Sequence, residues 1–237
     1  IHFWHPHFPP MLKKIHDTPL LLFALGDTDI LSRPMLAVVG TRMPTTYGKI
    51  VTEKLVPELA KSLVIVSGLA RGIDTLAHQK TVQAGGKTAA ILGSGLDRIY
   101  PAENKKVSDE IQQHGVLLSE FPLGAKPDAM NFPRRNRIVA GMCAATLVIQ
   151  AGAKSGALIT ADLALEEGRD VFAVPGDINV PQNFGNNRLI QQGAMPVLSV
   201  NNILDELHIT LPFAKNAPPS IPLSKHEESV FSCLGTE

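Results

Sequence analysis

Cysteine is scarce in this sequence: only Cys143 and Cys233 occur among 237 residues. They are far apart and have apolar neighbours, so we expect two buried thiols rather than a disulfide framework, and this usage is typical of a reducing compartment. Long hydrophobic runs are missing too, since no stretch approaches the roughly 18 apolar residues that a membrane span needs and none resembles a signal peptide. These absences predict a cytoplasmic protein that does not contact a membrane.

Net charge is also lacking, because 22 lysines and arginines balance 22 aspartates and glutamates. A neutral protein has no field over its whole surface that attracts nucleic acid, so any site for a polyanion must be a local patch. The chain does have 44% hydrophobic residues. It contains no low-complexity segment, and we therefore expect a globular protein with a full core.

Composition divides the chain into four segments. Residues 1–33 begin with Ile rather than Met and are rich in histidine and proline, so we expect a loose lead-in from a missing upstream segment; His2, His5 and His7 lack the partners that would complete a metal site. Residues 34–211 form the predicted core. Residues 212–222 are rich in proline and small residues and predict a linker, and residues 223–237, where Ser224 can cap a helix, predict the start of a truncated second domain.

Short apolar segments alternate with helical segments through the core. We predict strands at 35–39, 63–66, 87–92, 116–119, 145–150, 170–174 and, more weakly, 196–198. Helices are predicted at about 45–62, 73–84 with Asp74 as the cap, 103–114, 135–142, 187–193 and 201–207. Strand and helix alternating at this spacing favour right-handed βαβ units. The predicted fold class is α/β, with a doubly wound, mostly parallel sheet and helices on both faces.

Basic residues recur in the loops that follow the predicted strands. In open parallel sheets these loops meet at one edge, where ligands bind. Acidic residues occur there too, so some of the cations are expected to be paired. The cations are Arg42, Arg71, Arg98, Lys126, Arg134, Arg135, Lys154 and Arg188. Their recurrence predicts an extended anion site.

The stretch from Asn131 to Gly168 carries the most chemistry. Gly152 to Gly156 form a turn from a buried strand into a helix, whose first amide groups lack internal partners and can bind an anion. The spacing is neither GxGxxG nor GxxxxGK[ST], so ATP or NAD is poorly supported and no cofactor is expected. Phe132 stands in a predicted loop beside Arg134 and Arg135. It is either a stacking platform of the kind that single strands need or a core residue.

Seven sequence blocks between about Pro34 and Leu207 occur in an order that points to one family. They are VVGTR (38–42), SGLARGIDTLAH (67–78), GSGLDRIYPAEN (93–104), LSEFPLG (118–124), NFPRRNRIVAG (131–141), AKSGALITA (153–161) and VPGDI (174–178). Together they resemble the bacterial DNA-processing protein A family, DprA/Smf. The resemblance implies an extended Rossmann-like core that binds single-stranded DNA without sequence preference and forms a homodimer. It also implies a protein without catalysis that protects incoming DNA and passes it to the RecA recombinase in natural transformation.

The same resemblance implies the residues of the DNA site and the nature of the flanking domains. Members often have a helical domain before the core and a winged-helix-like domain after it, so residues 223–237 would begin the latter. Arginine and lysine side chains would neutralise phosphates, Gly68 and Ser155 would donate hydrogen bonds, and Phe132 would stack a base. The implied site consists of Arg42, Ser67, Gly68, Arg71, Phe132, Arg134, Arg135, Lys154 and Ser155.

Two other interpretations of the sequence remain open. One is a phosphoribohydrolase that cleaves nucleoside monophosphates on a similar core. That class has a PGGxGT loop and a catalytic glutamate, where this chain has AGAKSGALIT, and the adjacent Glu166 and Glu167 are better explained as a solvated helix end. The other is a scaffold for protein contacts, although no single sequence feature marks such a surface.

Overall fold

Eight strands of residues 1–209, the part of the chain that the computed structural model describes, form one sheet. The strands are β1 (Phe23–Gly26), β2 (Met35–Val39), β3 (Val64–Ser67), β4 (Thr88–Leu92), β5 (Val116–Ser119), β6 (Ala145–Val148), β7 (Asp170–Ala173) and β8 (Met195–Pro196). The α-helices are α1 (Thr46–Leu59), α2 (Ile73–Gln83), α3 (Lys105–His114), α4 (Asn131–Gly141), α5 (Gly156–Glu166), α6 (Phe184–Gln191) and α7 (Val200–Glu206).

The strand order is β1-β5-β4-β3-β2-β6-β7-β8, and every pair is parallel except β1 with β5. Strands β2, β3, β4 and β5 follow one another toward one edge of the sheet, whereas the next strand, β6, lies on the other side of β2. The direction of winding therefore reverses between β2 and β6, and loops on either side of such a point diverge and leave a crevice. The predicted α/β class with a mostly parallel, doubly wound sheet is confirmed.

Alternate residues of each strand enter different hydrophobic cores, because successive side chains of a strand point to opposite faces. Met35, Ala37 and Val39 of β2 belong to a cluster that includes apolar side chains of α4, α5 and α6. Leu36 and Val38 belong to a second cluster, which includes side chains of α1, α2 and α7. Since both faces are covered, every residue of β2 is buried, which explains why its sequence is continuously apolar.

The N-terminal residues are not a loose lead-in, and that expectation is wrong. Phe8, Leu12 and Leu22 are buried in the same cluster as β2, and the terminal amine donates a hydrogen bond of 2.7 Å to the carbonyl of Leu22. The segment also supplies β1, which pairs antiparallel with β5. Residues 1–33 thus complete one face and one edge of the sheet.

Two helix starts differ from the expectations. Helix α4 begins at Asn131, so Phe132, Pro133 and Arg134 are helical and not part of a loop. Proline is tolerated there because amides of a first helical turn need no partner within the helix. Helix α2 begins after Gly72, and Asp74 does not cap it but is buried inside it.

Several other predictions lie outside the described residues. These are the end of the core at 210–211, the linker at 212–222, the helix at 223–237 and Cys233. Cys143 is buried, as expected, and burial raises the pKa of its thiol well above the usual range. Within residues 1–209 no helix is long and apolar enough to cross a membrane.

Candidate functional site

A groove of about 780 Å³ lies where the winding of the sheet reverses. Its walls come from the loops that follow β2, β3 and β6, from α4, from the first turns of α5, and from the segment around Pro181 to Phe184. The loops after β2 and β6 lie on the two sides of the reversal, so the groove occupies the position where open parallel sheets bind ligands.

Two exposed cations line the groove from different loops. Arg42 follows β2, and Lys154 lies in the turn between β6 and α5. Neither makes an ion pair with another of the described residues. Their charges are therefore available to a ligand, in contrast to that of Arg71, which pairs with Glu103.

The N-terminus of α5 adds a further feature that favours anions. Ser155 caps the helix, and its hydroxyl oxygen accepts a 3.3 Å hydrogen bond from the amide of Ala157. A Cβ atom at Gly156, the first helical residue, would meet no other atom within 4 Å, so this side of the turn is open. Because the positive end of the helix dipole and its amide groups lie there, an anion near Lys154 is stabilised from both sides.

Phe132 lines the same groove from the first turn of α4 and is half-buried. It packs closely against the end of β4, since a Cβ atom at Gly93 would lie 2.8 Å from Cδ1 of Phe132. The centre of its ring is 5.6 Å from that of Tyr100, and the two planes are inclined by 35°. The ring is thus fixed on one side by the protein and presents another side to the groove.

Arg135 supports the fold beneath the groove. Its side chain is buried, with 5% exposed, and its Nη1 donates to the carbonyl oxygens of Gly68 and Ile91. These carbonyls lie near the carboxyl ends of β3 and β4, so the guanidinium joins two strands and the helix α4. Arg135 also lines the groove, and a direct contact of its guanidinium with DNA stays a prediction.

Asp74 is buried near Arg135, and the two side chains influence each other's pKa without a direct ion pair. Burial raises the pKa of Asp74, while Arg135 and the amides of Gly68 and Ala70 oppose the rise. Burial also lowers the pKa of Arg135 to about 10, against the opposing effect of Asp74. Arg135 therefore stays protonated at neutral pH, and its charge favours the ionised form of Asp74 beneath the groove.

Ser67 and Gly68 do not offer donors to a ligand. Ser67 is fully buried, and its hydroxyl donates a 2.7 Å hydrogen bond to the carbonyl of Val38, which ties β3 to β2. The amide of Gly68 donates to Oδ2 of Asp74 at 3.1 Å. A Cβ at Gly68 would clash with Nη2 of Arg135, so glycine is needed for the close approach of the guanidinium.

Arg71 and Arg134 lie outside the main groove. Arg71 is exposed, and its guanidinium makes two 2.8 Å hydrogen bonds to the carboxylate of Glu103, which raise the pKa of Arg71. Glu103 is therefore the partner of Arg71 among the described residues. Arg134 is exposed on the outer side of α4, with its guanidinium carbon 5.8 Å from the centre of the Phe121 ring.

The structure thus brings together Arg42, Phe132, Lys154 and Ser155 of the predicted site, with Gly68 and Arg135 beneath them. Arg134 and Ser67 do not line the groove, and Arg71 lies in an adjoining crevice that Arg42 and Phe132 also line. Sequence reasoning missed Tyr100, which belongs to the GSGLDRIYPAEN block and contacts Phe132. An aromatic residue in a loop after a parallel strand was the available signal. It also missed Asn136, Thr160 and Phe184, which line the groove from helices.

No group of three or more His, Cys, Asp or Glu side chains within residues 1–209 has a geometry that could hold a metal ion. His7 instead lies 3.1 Å from the carboxylate of Asp29, as an ion pair if the ring is protonated.

Comparisons with known proteins give consistent matches. The family model described as DNA recombination-mediator protein A matches residues 1–208. The DNA processing protein DprA of Streptococcus pneumoniae is 47% identical over 199 residues, which cover 84% of this chain and 71% of that protein. An X-ray structure of DprA from S. pneumoniae has a TM-score of 0.84 at 46% identity, covering 87% of this chain and 73% of that one. A structure of DNA processing protein A from Helicobacter pylori has a TM-score of 0.78 at 35% identity, covering 85% of this chain and 93% of that one, and is described as revealing a single-stranded DNA binding mode.

Proposed function

This chain belongs to the DNA recombination-mediator protein A family, and from that premise we propose that its groove binds single-stranded DNA without sequence preference. The observation that carries the proposal is the meeting of Arg42, Lys154 and Phe132 on one groove although they come from three different loops and helices. The single-stranded DNA binding mode described for the H. pylori relative supports the choice of ligand.

The proposed contacts divide between charge and stacking. Arg42 and Lys154 neutralise backbone phosphates, and the first turn of α5 with Ser155 accepts a phosphate near Lys154. Phe132 stacks on a base. Every base has a π face, and phosphates are the same along the strand, so these contacts carry no sequence information. Stacking on Phe132 requires an unpaired base, which accounts for a preference for single strands.

We further propose that the protein acts in the cytoplasm as a homodimer and passes bound DNA to the RecA recombinase during natural transformation. The family description as a recombination mediator supports this role. A binder that holds phosphates by exposed cations releases them readily, because such contacts exchange with salt ions. That property suits a protein that protects a strand and then surrenders it.

We propose that the chain has no catalytic activity of its own. Asp74 is the one carboxylate among the described residues that line the groove, and it is buried and accepts hydrogen bonds from backbone amides. Glu167, at the other end of α5, accepts from the amide of His16. Incubation with AMP tests the rival phosphoribohydrolase: release of ribose 5-phosphate would support the enzyme, whereas binding of oligo-dT without turnover supports the DNA binder.

The first test is fluorescence anisotropy with single- and double-stranded oligonucleotides across a salt series. Replacing Arg42 by Ala is expected to weaken binding of oligo-dT and to lower the slope of log K against log salt by roughly 0.7 for each phosphate that the side chain neutralises in the wild type. Arg71→Ala should have a smaller effect, because Glu103 already engages that guanidinium.

Arg33 provides the matched control for Arg42. It is an exposed arginine that precedes β2 and lies near the amino ends of the parallel strands, whereas the groove lies at their carboxyl ends. Arg33→Ala has the same change of net charge and should bind like the wild type. Equal affinity and equal salt slope for Arg42→Ala and the wild type would show that the groove is not the DNA site.

Replacing Phe132 by Ala is expected to weaken single-strand binding by about 1–3 kcal/mol, the contribution of one stacked base. Phe132→Tyr keeps the aromatic face and should retain most of the affinity. Because Phe132 also packs on Gly93, the unfolding transition of each variant is measured alongside the titration. Full binding by a folded Phe132→Ala variant would remove the stacking contact from the proposal.

A further inference from the structure

Tyr100 is an exposed aromatic residue to which the contacts described above give no role. It lies in the loop between β4 and α3 and is 43% exposed. Its ring contacts that of Phe132, with centres 5.6 Å apart. A tyrosine that only stabilised the core would be buried with a partner for its hydroxyl, whereas this side chain leaves nearly half of its surface to solvent.

Tyr100 forms one side of a shallow crevice next to the main groove. Arg42, Arg71, Pro101 and Phe132 also line this crevice. Arg42 and Phe132 belong to both the crevice and the groove, so a strand that leaves the groove past Phe132 meets Tyr100 next. The crevice therefore combines aromatic rings with guanidinium groups, as single-strand binding surfaces do.

We propose that Tyr100 and the crevice form a second nucleotide subsite, which takes the base adjacent to the one stacked on Phe132. This inference rests on the proposed function of the groove. The two rings are already in contact, so a base does not enter between them; it stacks on the exposed part of Tyr100. Phe132 then separates two bases, one in the groove and one on the crevice.

Arg71 supplies the charge that this second nucleotide requires. Its guanidinium is held by Glu103 on one side, and the Tyr100 hydroxyl is close enough to contribute to the raised pKa of Arg71. Both partners of the ion pair are more than half exposed, so water screens their attraction and a phosphate can replace the carboxylate at small cost. Tyr100 and Arg71 thus offer the base and the phosphate of one nucleotide adjacent contacts.

The test compares Tyr100→Leu with the matched control Tyr100→Phe on two polymers of equal length: oligo-dT, and an abasic deoxyribose-phosphate chain with the same number of phosphates. We expect Tyr100→Leu to bind oligo-dT about five- to a hundredfold more weakly than the wild type, the range for one stacked base. Binding of the abasic chain should be unchanged, since the phosphates and cations are the same. Tyr100→Phe should bind both polymers like the wild type.

Each outcome decides between the two proposals. If Tyr100→Leu binds oligo-dT like the wild type while Phe132→Ala binds it more weakly, the second subsite is wrong and the groove stands. An equal loss on both polymers would mean that Tyr100 supports the fold of the loop and does not stack on a base, which also overturns the subsite. If wild-type protein binds neither polymer, the proposed function itself fails.

Discussion

Replacing Arg135 by Met is expected to lower the free energy of unfolding by about 2–5 kcal/mol, because each buried carbonyl that loses its donor costs about 1–3 kcal/mol. Methionine fills a similar volume but leaves the buried Asp74 without the nearby guanidinium charge. It also leaves the carbonyls of Gly68 and Ile91 without the donor they have in the wild type. Urea unfolding followed by circular dichroism gives the change from the transition midpoint at constant slope.

The double variant Arg135→Met with Asp74→Asn is the control for this interpretation. Asparagine removes the orphaned charge and still offers an oxygen to the amide of Gly68, so part of the lost stability should return. If the single and double variants are equally unstable, the loss comes from the two carbonyls and not from the buried charge of Asp74. Stability of Arg135→Met within about 1 kcal/mol of the wild type would contradict the central role assigned to this guanidinium.

The different roles of Arg134 and Arg135 show where sequence reasoning stopped. In a loop, adjacent arginines can both face a ligand, and the prediction of a loop at Asn131 led to that conclusion. On a helix, successive residues are rotated by about 100°. Arg134 is therefore exposed beside Phe121, whereas Arg135 is buried against β3 and β4. Proline is common in a first helical turn, so Pro133 was the signal that favours a helix over a loop at this position.

The parallel sheet was predictable because its signal is local. Strands such as β2 are buried on both faces and read as unbroken apolar runs between glycine-containing turns. Strand β1 has no such signal: it has four residues, none of them fully buried, and it is defined by pairing with β5 almost a hundred residues later. Strand β1 forms because it pairs with β5, and the hydrophobic pattern of its own four residues does not reveal that pairing.

The candidate site was predictable only in part for a related reason. Strand-end cations reveal that an anion can be bound, since the carboxyl ends of parallel strands meet at one edge. Which cations are free depends on partners distant in sequence. Glu103 pairs with Arg71 across 32 residues, and Gly68 accepts from Arg135 across 67. Arg42 and Lys154 remain for a ligand because the fold places no carboxylate of the described residues beside them.

Beneath the site, His78 of α2 is a fully buried histidine whose tautomer follows from its neighbours. The hydroxyl of Thr88 donates to the carbonyl of Ile65 at 2.7 Å. Its oxygen therefore accepts the 2.6 Å hydrogen bond from Nδ1 of His78, which must carry the proton. Nε2 is buried and has no hydrogen-bond partner among the described residues. A second proton would bind to Nε2, and the resulting N–H group would have no hydrogen-bond acceptor.

Stability is therefore expected to fall as the pH drops below about 6.5. Burial, with a smaller effect of Arg135, lowers the pKa of His78 from 6.5 to about 3. Between these values the unfolded chain binds a proton that the folded protein does not, so the free energy of unfolding decreases by about 1.4 kcal/mol per pH unit, or about 2 kcal/mol at pH 5. The stabilisation is complete above pH 6.5 and is lost progressively toward pH 3.

Urea titrations of the wild type and of His78→Leu at pH 7.5, 6, 5.5 and 5 isolate this residue, because the other titrating groups are common to both. The difference between the two proteins should change in favour of His78→Leu as the pH falls, and a difference that is constant over this range would show that His78 binds its second proton in the folded state.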